Sequence, residues 1–205
     1  MPHTKQELRK QFLAKRKLLT QEEADSDSTQ IFQNLFHHAL LSQKKEKQNI
    51  ALYFPIRNEV NTQLIFNKIL TQEGFFYLPK INDYTKPEMS FYKVEDIKDL
   101  EVNSLNIAEP KTTLPPIFPN LLDIVLVPLV AFDKAGYRLG MGKGYYDHYF
   151  SFLGKQAKTE RIKPLLIGLA YEFQYYPGYF VEKDPWDISL DYVVTEKSCY
   201  SFRFN

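Results

Sequence analysis

Residues Asp123-Ile-Val-Leu-Val-Pro128 and, ten residues on, Arg138-Leu-Gly-Met-Gly-Lys-Gly-Tyr-Tyr-Asp147 decide how the rest of the chain is read. The first is a short apolar run rich in β-branched residues, which predicts a buried strand. The second holds Gly140, Gly142 and Gly144, three of the eight glycines in the chain, at alternate positions. Arg138 and Lys143 add positive charge to the same stretch, and two tyrosines and a carboxylate close it. Glycine admits φ > 0 and lets a ligand approach backbone N–H groups, so alternate glycines suit a loop that wraps an anion. From Tyr145 to Leu153, with Gly154 as a stop, the pattern predicts a helix. A strand, a glycine loop and a helix N-terminus in that order make a phosphate site. A competing reading stands beside it: glycine clusters are commonly turns, and the spacing fits neither GxxxxGK[ST] nor G-x-G-x-x-G.

Composition makes any such site local. The 205 residues fit a single domain, 1–205, with 44% hydrophobic content to fill its core. With 26 basic and 25 acidic side chains the net charge is +1, which gives no global field for nucleic acid or an anionic membrane. The single cysteine, Cys199, excludes an intrachain disulfide and a cysteine metal cluster. The first twenty residues are rich in Lys and Arg without an apolar segment, and no run of about eighteen apolar residues occurs, so a cytoplasmic protein without a membrane span is expected. Nothing implies an obligate protein partner.

Outward from the glycine loop the chain alternates helices and strands. Thr4-Lys-Gln-Glu7 is a capping box opening a helix with Leu8, Phe12 and Leu19 on one face and Lys5, Arg9, Lys10, Lys15, Arg16 and Lys17 elsewhere, read for the most part as a solvated basic face. Thr20-Gln-Glu-Glu23 repeats the box before an apolar stripe of Ile31, Phe32, Leu35, Phe36, Ala39 and Leu40. His37 and His38 are adjacent, about 100° apart on a helix, and so cannot chelate one metal as an i, i+4 pair would. Ile50 to Phe54 reads as a buried strand, Thr62 to Leu70 as a helix, Phe75 to Leu78 as a strand, and Met89 to Val94 as an added strand. Four prolines between 110 and 119 predict an extended loop bordering the site. Leu165–Leu169 and Tyr192–Thr195 are the last strands, with an aromatic segment from Tyr171 to Phe180 read as core and lid packing. Apolar strands alternating with helices predict a three-layer α/β/α sandwich with a mostly parallel sheet, whose ligands bind beyond the carboxyl ends of the strands.

The run from Val127 to Asp147 closely resembles the signature of the 5-formyltetrahydrofolate cyclo-ligases, also called methenyltetrahydrofolate synthetases. The resemblance extends to Lys5 and Arg9, to Tyr53, Pro55 and Glu59-Val-Asn-Thr62, and to the tail from Trp186 to Glu196. It implies ATP-dependent closure of 5-formyltetrahydrofolate to 5,10-methenyltetrahydrofolate with Mg²⁺. It further implies that Lys5, Arg9 and the loop residues Arg138, Leu139, Gly140, Met141, Gly142, Lys143, Gly144, Tyr145 and Tyr146 bind ATP, with Arg138 and Lys143 spreading the charge of phosphoryl transfer. Asp147 matches a metal ligand and Asp191 a second one, against the alternative that Asp191 is a turn carboxylate before a strand. Folate would meet Tyr53, Ile56, Glu59, Asn61 and the loop from Met141 to Tyr145. The family pattern carries Asp where this chain has Asn61, which has no charge to grip the pterin amines. Phosphoryl transfer needs positioning and charge rather than a protein nucleophile, in keeping with the absence of a Ser/His/Asp or Cys/His constellation. Two rival functions remain at this point: another phosphate-ligand enzyme handling a sugar phosphate or CoA, and a nonenzymatic nucleotide or RNA module using the basic helix.

Overall fold

The computed structural model describes residues 4–38, 40–41, 47–70, 74–104, 106–111, 114–155, 164–180 and 184–203. Both capping boxes form. Thr4 Oγ1 accepts from Glu7 N at 3.2 Å while Glu7 Oε2 accepts from Thr4 N at 2.9 Å, opening α1, Lys5–Lys17. Thr20 and Glu23 do the same for α2, Gln21–His37. Each box satisfies two N–H groups that a helix start would otherwise leave bare. His37 and His38 lie exposed at the end of α2, and Ala39 lies outside the described residues.

Next come β1 (Asn49–Ala51), α3 (Gln63–Leu70) and β2 (Phe75–Asp83), with β1 and β2 parallel neighbours as strand–helix–strand order requires. The side chains of Ile69 and Leu70 lie outside what the structure describes. β3 (Glu88–Val94) returns antiparallel along β2, and β4 (Leu100–Val102) and β5 (Ala108–Pro110) form a separate hairpin. The expected proline loop therefore begins one residue late, because Pro110 ends an edge strand, where its missing N–H is tolerated. Then follow β6 (Ile124–Pro128), β7 (Ala131–Asp133), β8 (Arg138–Leu139), α4 (Tyr145–Tyr149), β9 (Leu165–Leu169), β10 (Tyr175–Tyr176), β11 (Tyr192–Val194) and β12 (Cys199–Ser201).

The main sheet has seven strands in the order β12-β11-β9-β6-β1-β2-β3. Its five inner strands are parallel, and an antiparallel strand closes each edge. Alternate residues serve opposite faces. Ile50, Leu52, Ile124, Leu126 and Ile167 pack with Ile31 and Leu35 of α2 and Ile65 and Phe66 of α3, whereas Ala51, Val125, Val127 and Leu166 pack with Phe150 and Leu153. Burial on both faces explains why the strands read as continuous apolar runs. The result is the mixed α/β architecture the sequence predicts, with helices on both sides of a mostly parallel sheet.

Two local differences shape the site. The helix expected from Tyr145 to Leu153 is α-helical only to Tyr149 and continues as a 3-10 helix, Ser151–Lys155, through Gly154. Tyr146, Tyr149 and Phe150 all pack around the Phe91 ring, and the tighter winding brings Phe150 and Leu153 onto one face of the core. The second difference is the β7–β8 hairpin, which stands between β6 and the glycine loop. Buried Asp133 builds its turn: Oδ1 accepts from Ala135 N and Tyr137 N, each at 2.9 Å, Oδ2 accepts from Phe180 N at 3.0 Å, and Gly136 N donates to Asp133 O at 3.0 Å. Aspartate first and glycine fourth is a turn signature. β10 joins this hairpin in a three-stranded sheet, and α1 packs Leu8 and Phe12 against it through Val130, Ala131 and Leu139. The amino-terminal helix thus sits on the small sheet that carries the glycine loop.

Candidate active site

The segments leaving the carboxyl ends of β1, β6 and β9 gather at one side of the sheet, as expected for ligand sites in parallel α/β folds. In the glycine loop, Gly142 (φ +92°) and Gly144 (φ +72°) take left-handed conformations that disfavour any side chain. Arg9 lies along this loop: its Nε donates to Gly140 O at 2.8 Å, and its Cζ is 3.5 Å from where a Cβ on Gly142 would stand. A Cβ on Gly140 would meet open space. Met141, Gly142, Lys143 and Gly144 are exposed, and Lys143 makes no hydrogen bond or ion pair among the described residues.

Lys5, one turn before Arg9, reaches a different partner. Its Nζ is 2.9 Å from Asp187 Oδ2 and 3.3 Å from Asp184 Oδ2. Burial opposes the charge, but the bonds to Asp187 and then Asp184 outweigh it and raise the Lys5 ammonium above its ordinary value. Arg138 is more constrained than the sequence suggests. Its side chain is only 6% exposed, with one guanidinium nitrogen donating to Ile188 O and the other to Asp147 Oδ1, both at 2.9 Å. The guanidinium also lies 5.8 Å from the Tyr146 ring centroid. It therefore ties the start of the loop to α4 and to residue 188, and Lys143 is the cation the loop leaves open.

The two expected metal ligands face different surroundings. Asp147 Oδ1 takes the Arg138 bond and one from Ile188 N at 3.2 Å, while Oδ2 takes none among the described residues. Asp191 is 1% exposed at the amino end of β11, where its Oδ2 accepts from Leu166 N at 2.8 Å. That is the framework role of a carboxylate before a strand, the alternative to the metal ligand that the resemblance implies. Among the described residues no group of three or more His, Cys, Asp or Glu side chains is arranged to hold a metal ion.

The tyrosines and the 53–62 segment complete the surroundings. Tyr145 is half-buried, and its hydroxyl is raised by burial and by the nearby Tyr84, Asp83 and Glu109. The Tyr146 hydroxyl is buried with no hydrogen-bond partner among the described residues; burial, reinforced by the Glu59 charge and eased by Arg138, raises it far above the ordinary phenol range. Tyr53 is buried and donates to Val60 O at 3.0 Å. Ile56 N donates to Glu59 Oε2 at 3.2 Å. Thr62 does not cap α3 with its hydroxyl, which donates to Tyr53 O at 2.6 Å; Asn61 does so, its side-chain oxygen accepting from Gln63 N at 3.0 Å.

Arg16 does not join the solvated basic face expected for most of the α1 cations: it is 2% exposed and 3.6 Å from Glu59. Its position four residues after Phe12 and eight after Leu8, on the apolar stripe, was the signal. Buried Glu109, which accepts from Ile81 N at 3.2 Å and Tyr84 Oη at 3.4 Å, carried no such signal.

Comparison with known proteins gives the family. Residues 2–196 match the 5-formyltetrahydrofolate cyclo-ligase family. A 5-formyltetrahydrofolate cyclo-ligase of Mycoplasma pneumoniae is 39% identical over 193 residues, covering 94% of this chain and 99% of that protein. The structure of the 5,10-methenyltetrahydrofolate synthetase of Aquifex aeolicus superposes with a TM-score of 0.78 at 37% identity, covering 98% of this chain and 94% of that one. For the structure of the 5,10-methenyltetrahydrofolate synthetase from Mycoplasma pneumoniae the TM-score is 0.72 at 33% identity, covering 95% and 99%. The chain belongs to the 5-formyltetrahydrofolate cyclo-ligase family.

Proposed function

We propose that the protein is a cytoplasmic enzyme that closes 5-formyltetrahydrofolate to 5,10-methenyltetrahydrofolate, using ATP with Mg²⁺ and releasing ADP and phosphate. The observation that carries the phosphate assignment is the docking of Arg9 on the glycine loop, with Nε 2.8 Å from Gly140 O, beside a Lys143 that has no partner among the described residues. Two cations from distant parts of the chain and a glycine backbone converge on one exposed turn, as a triphosphate requires.

A formamide oxygen is a poor leaving group. Transfer of the γ-phosphoryl group to that oxygen, with departure of ADP, converts it into a phosphate ester. Attack by N10 on the formyl carbon, breaking of the carbon–oxygen bond and loss of the N10 proton then give the methenyl bridge and free phosphate. In this scheme Lys143 follows the charge on the moving phosphoryl group, while Lys5, Arg9 and the loop from Leu139 to Tyr146 hold the nucleotide. Arg138 acts through Asp147, keeping its carboxylate at the edge of the loop. The open Oδ2 of Asp147 fits a Mg²⁺ that takes one carboxylate together with phosphate oxygens and waters. Bound there, the ion would neutralise phosphate charge during transfer. Folate is assigned to Tyr145 and the Ile56–Asn61 turn, with Glu59 as the acceptor for pterin N–H groups.

The test is optical. Protein, ATP, Mg²⁺ and 5-formyltetrahydrofolate are mixed and the near-ultraviolet absorption of the methenyl product is followed. Product formation that stops when ATP is omitted is expected; no absorbance change with ATP present would remove the proposal.

A further inference from the structure

Arg16 departs from the rest of the α1 cations. Lys10, Lys15 and Lys17 are exposed, but the Arg16 side chain is 3% exposed, with one nitrogen donating to Leu129 O at 3.2 Å and another 3.6 Å from Glu59 Oε1. The Glu59 side chain is itself only 9% exposed. A buried guanidinium costs far more to desolvate than a surface one, so its burial must be offset by the groups it meets. Those groups belong to an unusual turn. Arg57 (φ +51°) and Asn58 (φ +57°) are consecutive non-glycine residues in the left-handed region, and Glu59 N donates back to Ile56 O at 3.0 Å. Such a turn persists only where its surroundings over-determine it. Here Asn58 Nδ2 reaches Arg16 O at 3.4 Å and Leu19 O at 3.2 Å, and Glu59 reaches both Ile56 N and Arg16. The carboxyl end of α1 is thus the template of the 56–59 turn, roughly 10 Å along the same helix from Arg9 at the glycine loop.

We infer that Arg16 is a positioning residue for folate recognition, holding the Glu59 carboxylate ionised and fixed in the turn so that it presents only acceptors to the substrate. This rests on the assignment of folate to Glu59 made above. The chemistry follows from burial. Desolvation raises the Glu59 carboxyl above its ordinary value, and Arg16, then the Ile56 N–H and Arg57, draw it back. The groups facing it are Arg16 from α1, Arg57 in its own turn, Tyr53 after β1 and Tyr146 from α4, and the last two are neutral phenols. A protonated Glu59 would place an O–H where the pterin ring offers N–H donors, leaving donor against donor. Folate affinity should therefore fall as pH drops through the raised Glu59 value. Deleting the Arg16 charge should move that fall to higher pH.

The experiment compares wild type, Arg16→Met and Arg16→Lys in the ATP-dependent absorbance assay across pH. Expected for Arg16→Met are a rise in folate KM on the order of tenfold, an unchanged ATP KM, and an acidic limb of kcat/KM for folate displaced upward by about one pH unit. Arg16→Lys, which keeps the charge, should return the limb toward the wild-type position. A loss of thermal stability with an unmoved limb and folate KM, or a parallel rise in both KM values, would overturn the inference. If Arg16→Met does not fold, Glu59→Gln and the double variant Glu59→Gln/Arg16→Met, which lacks both charges, replace it. Equal folate KM in these two supports action through Glu59, and an additional loss in the double variant contradicts it. Wild type tests the functional proposal separately. If it forms no methenyl product, the Glu59 carboxyl is titrated by ¹³C NMR in wild type and in Arg16→Lys and Arg16→Met. A midpoint raised in Arg16→Met alone supports the charge coupling, and an unmoved one refutes it.

Discussion

The glycine loop and the 53–62 segment both border the site, and they use their polar groups in opposite ways. From Met141 to Gly144 the loop is exposed, and Lys143 has no partner among the described residues. In the other segment the Tyr53 hydroxyl, the Thr62 hydroxyl, the Asn61 side-chain oxygen and the Glu59 carboxylate are all bonded within the protein. The difference separates a surface kept open for a ligand from one whose shape is set in advance. Substitutions in the loop should cost turnover without stability. Those in the 53–62 segment should cost stability first, and affinity only where the carboxylate is moved.

The largest effect is expected at Lys143. Lys143→Met keeps most of the stem and removes the charge, and kcat should fall on the order of 10²-fold or more, as for loss of one charge-stabilising donor. The melting temperature should stay where it is, because the side chain is exposed and makes no hydrogen bond or ion pair among the described residues. Near-normal kcat would leave the loop a backbone phosphate site and end the catalytic role of Lys143. Asp147→Asn comes next. It retains an acceptor for Ile188 N but drops the charge that pairs Arg138, so the Mg²⁺ concentration for half-maximal rate should rise on the order of tenfold. Stability should fall by about 1 kcal/mol, since a charge-assisted bond to a nearly buried guanidinium is weakened. An unchanged Mg²⁺ requirement would make Asp147 a purely structural partner of Arg138.

These expectations show what the sequence could and could not convey. The capping boxes of α1 and α2 were legible because each is complete within four residues. So were β6 and β9, where burial on both faces leaves an unbroken apolar run. The β7–β8 hairpin was obscured because its strands are three and two residues long, too short for a period to register, although Asp133-Lys-Ala-Gly136 spelled its turn. In the candidate site, residue types identified the loop but not its internal pairing. Arg138 reads as a free cation until the fold brings Asp147 and Ile188 O against it. Asp191 reads as a turn carboxylate or a metal ligand, and nothing near it in the sequence announces that its carboxylate accepts from Leu166 N. Long-range partners of this kind have no local trace.

Smaller effects separate the two regions further. Arg9→Ala removes the guanidinium that braces Gly140 and should raise the ATP KM several-fold, about the scale of one charge-assisted bond, with folate KM nearly unmoved. A change confined to folate would reverse the assignment of the two ends of α1. Tyr53→Phe keeps the ring and deletes only the bond to Val60 O, so a loss of about 1 kcal/mol and a fall in melting temperature of about 2–4 °C are expected, with both KM values intact. A raised folate KM in this variant would show that the hydroxyl serves the substrate.

The assignment of phosphate to one region and folate to the other is open to direct observation in ¹⁵N-labelled protein titrated first with ATP and Mg²⁺ and then with 5-formyltetrahydrofolate. The amides of Gly140, Gly142, Gly144 and Tyr145 and the Arg9 Nε–H should shift in the first titration, and those of Ile56 to Asn61 only in the second. Shifts at Ile56 to Asn61 on adding ATP, with the glycine loop unmoved, would contradict it.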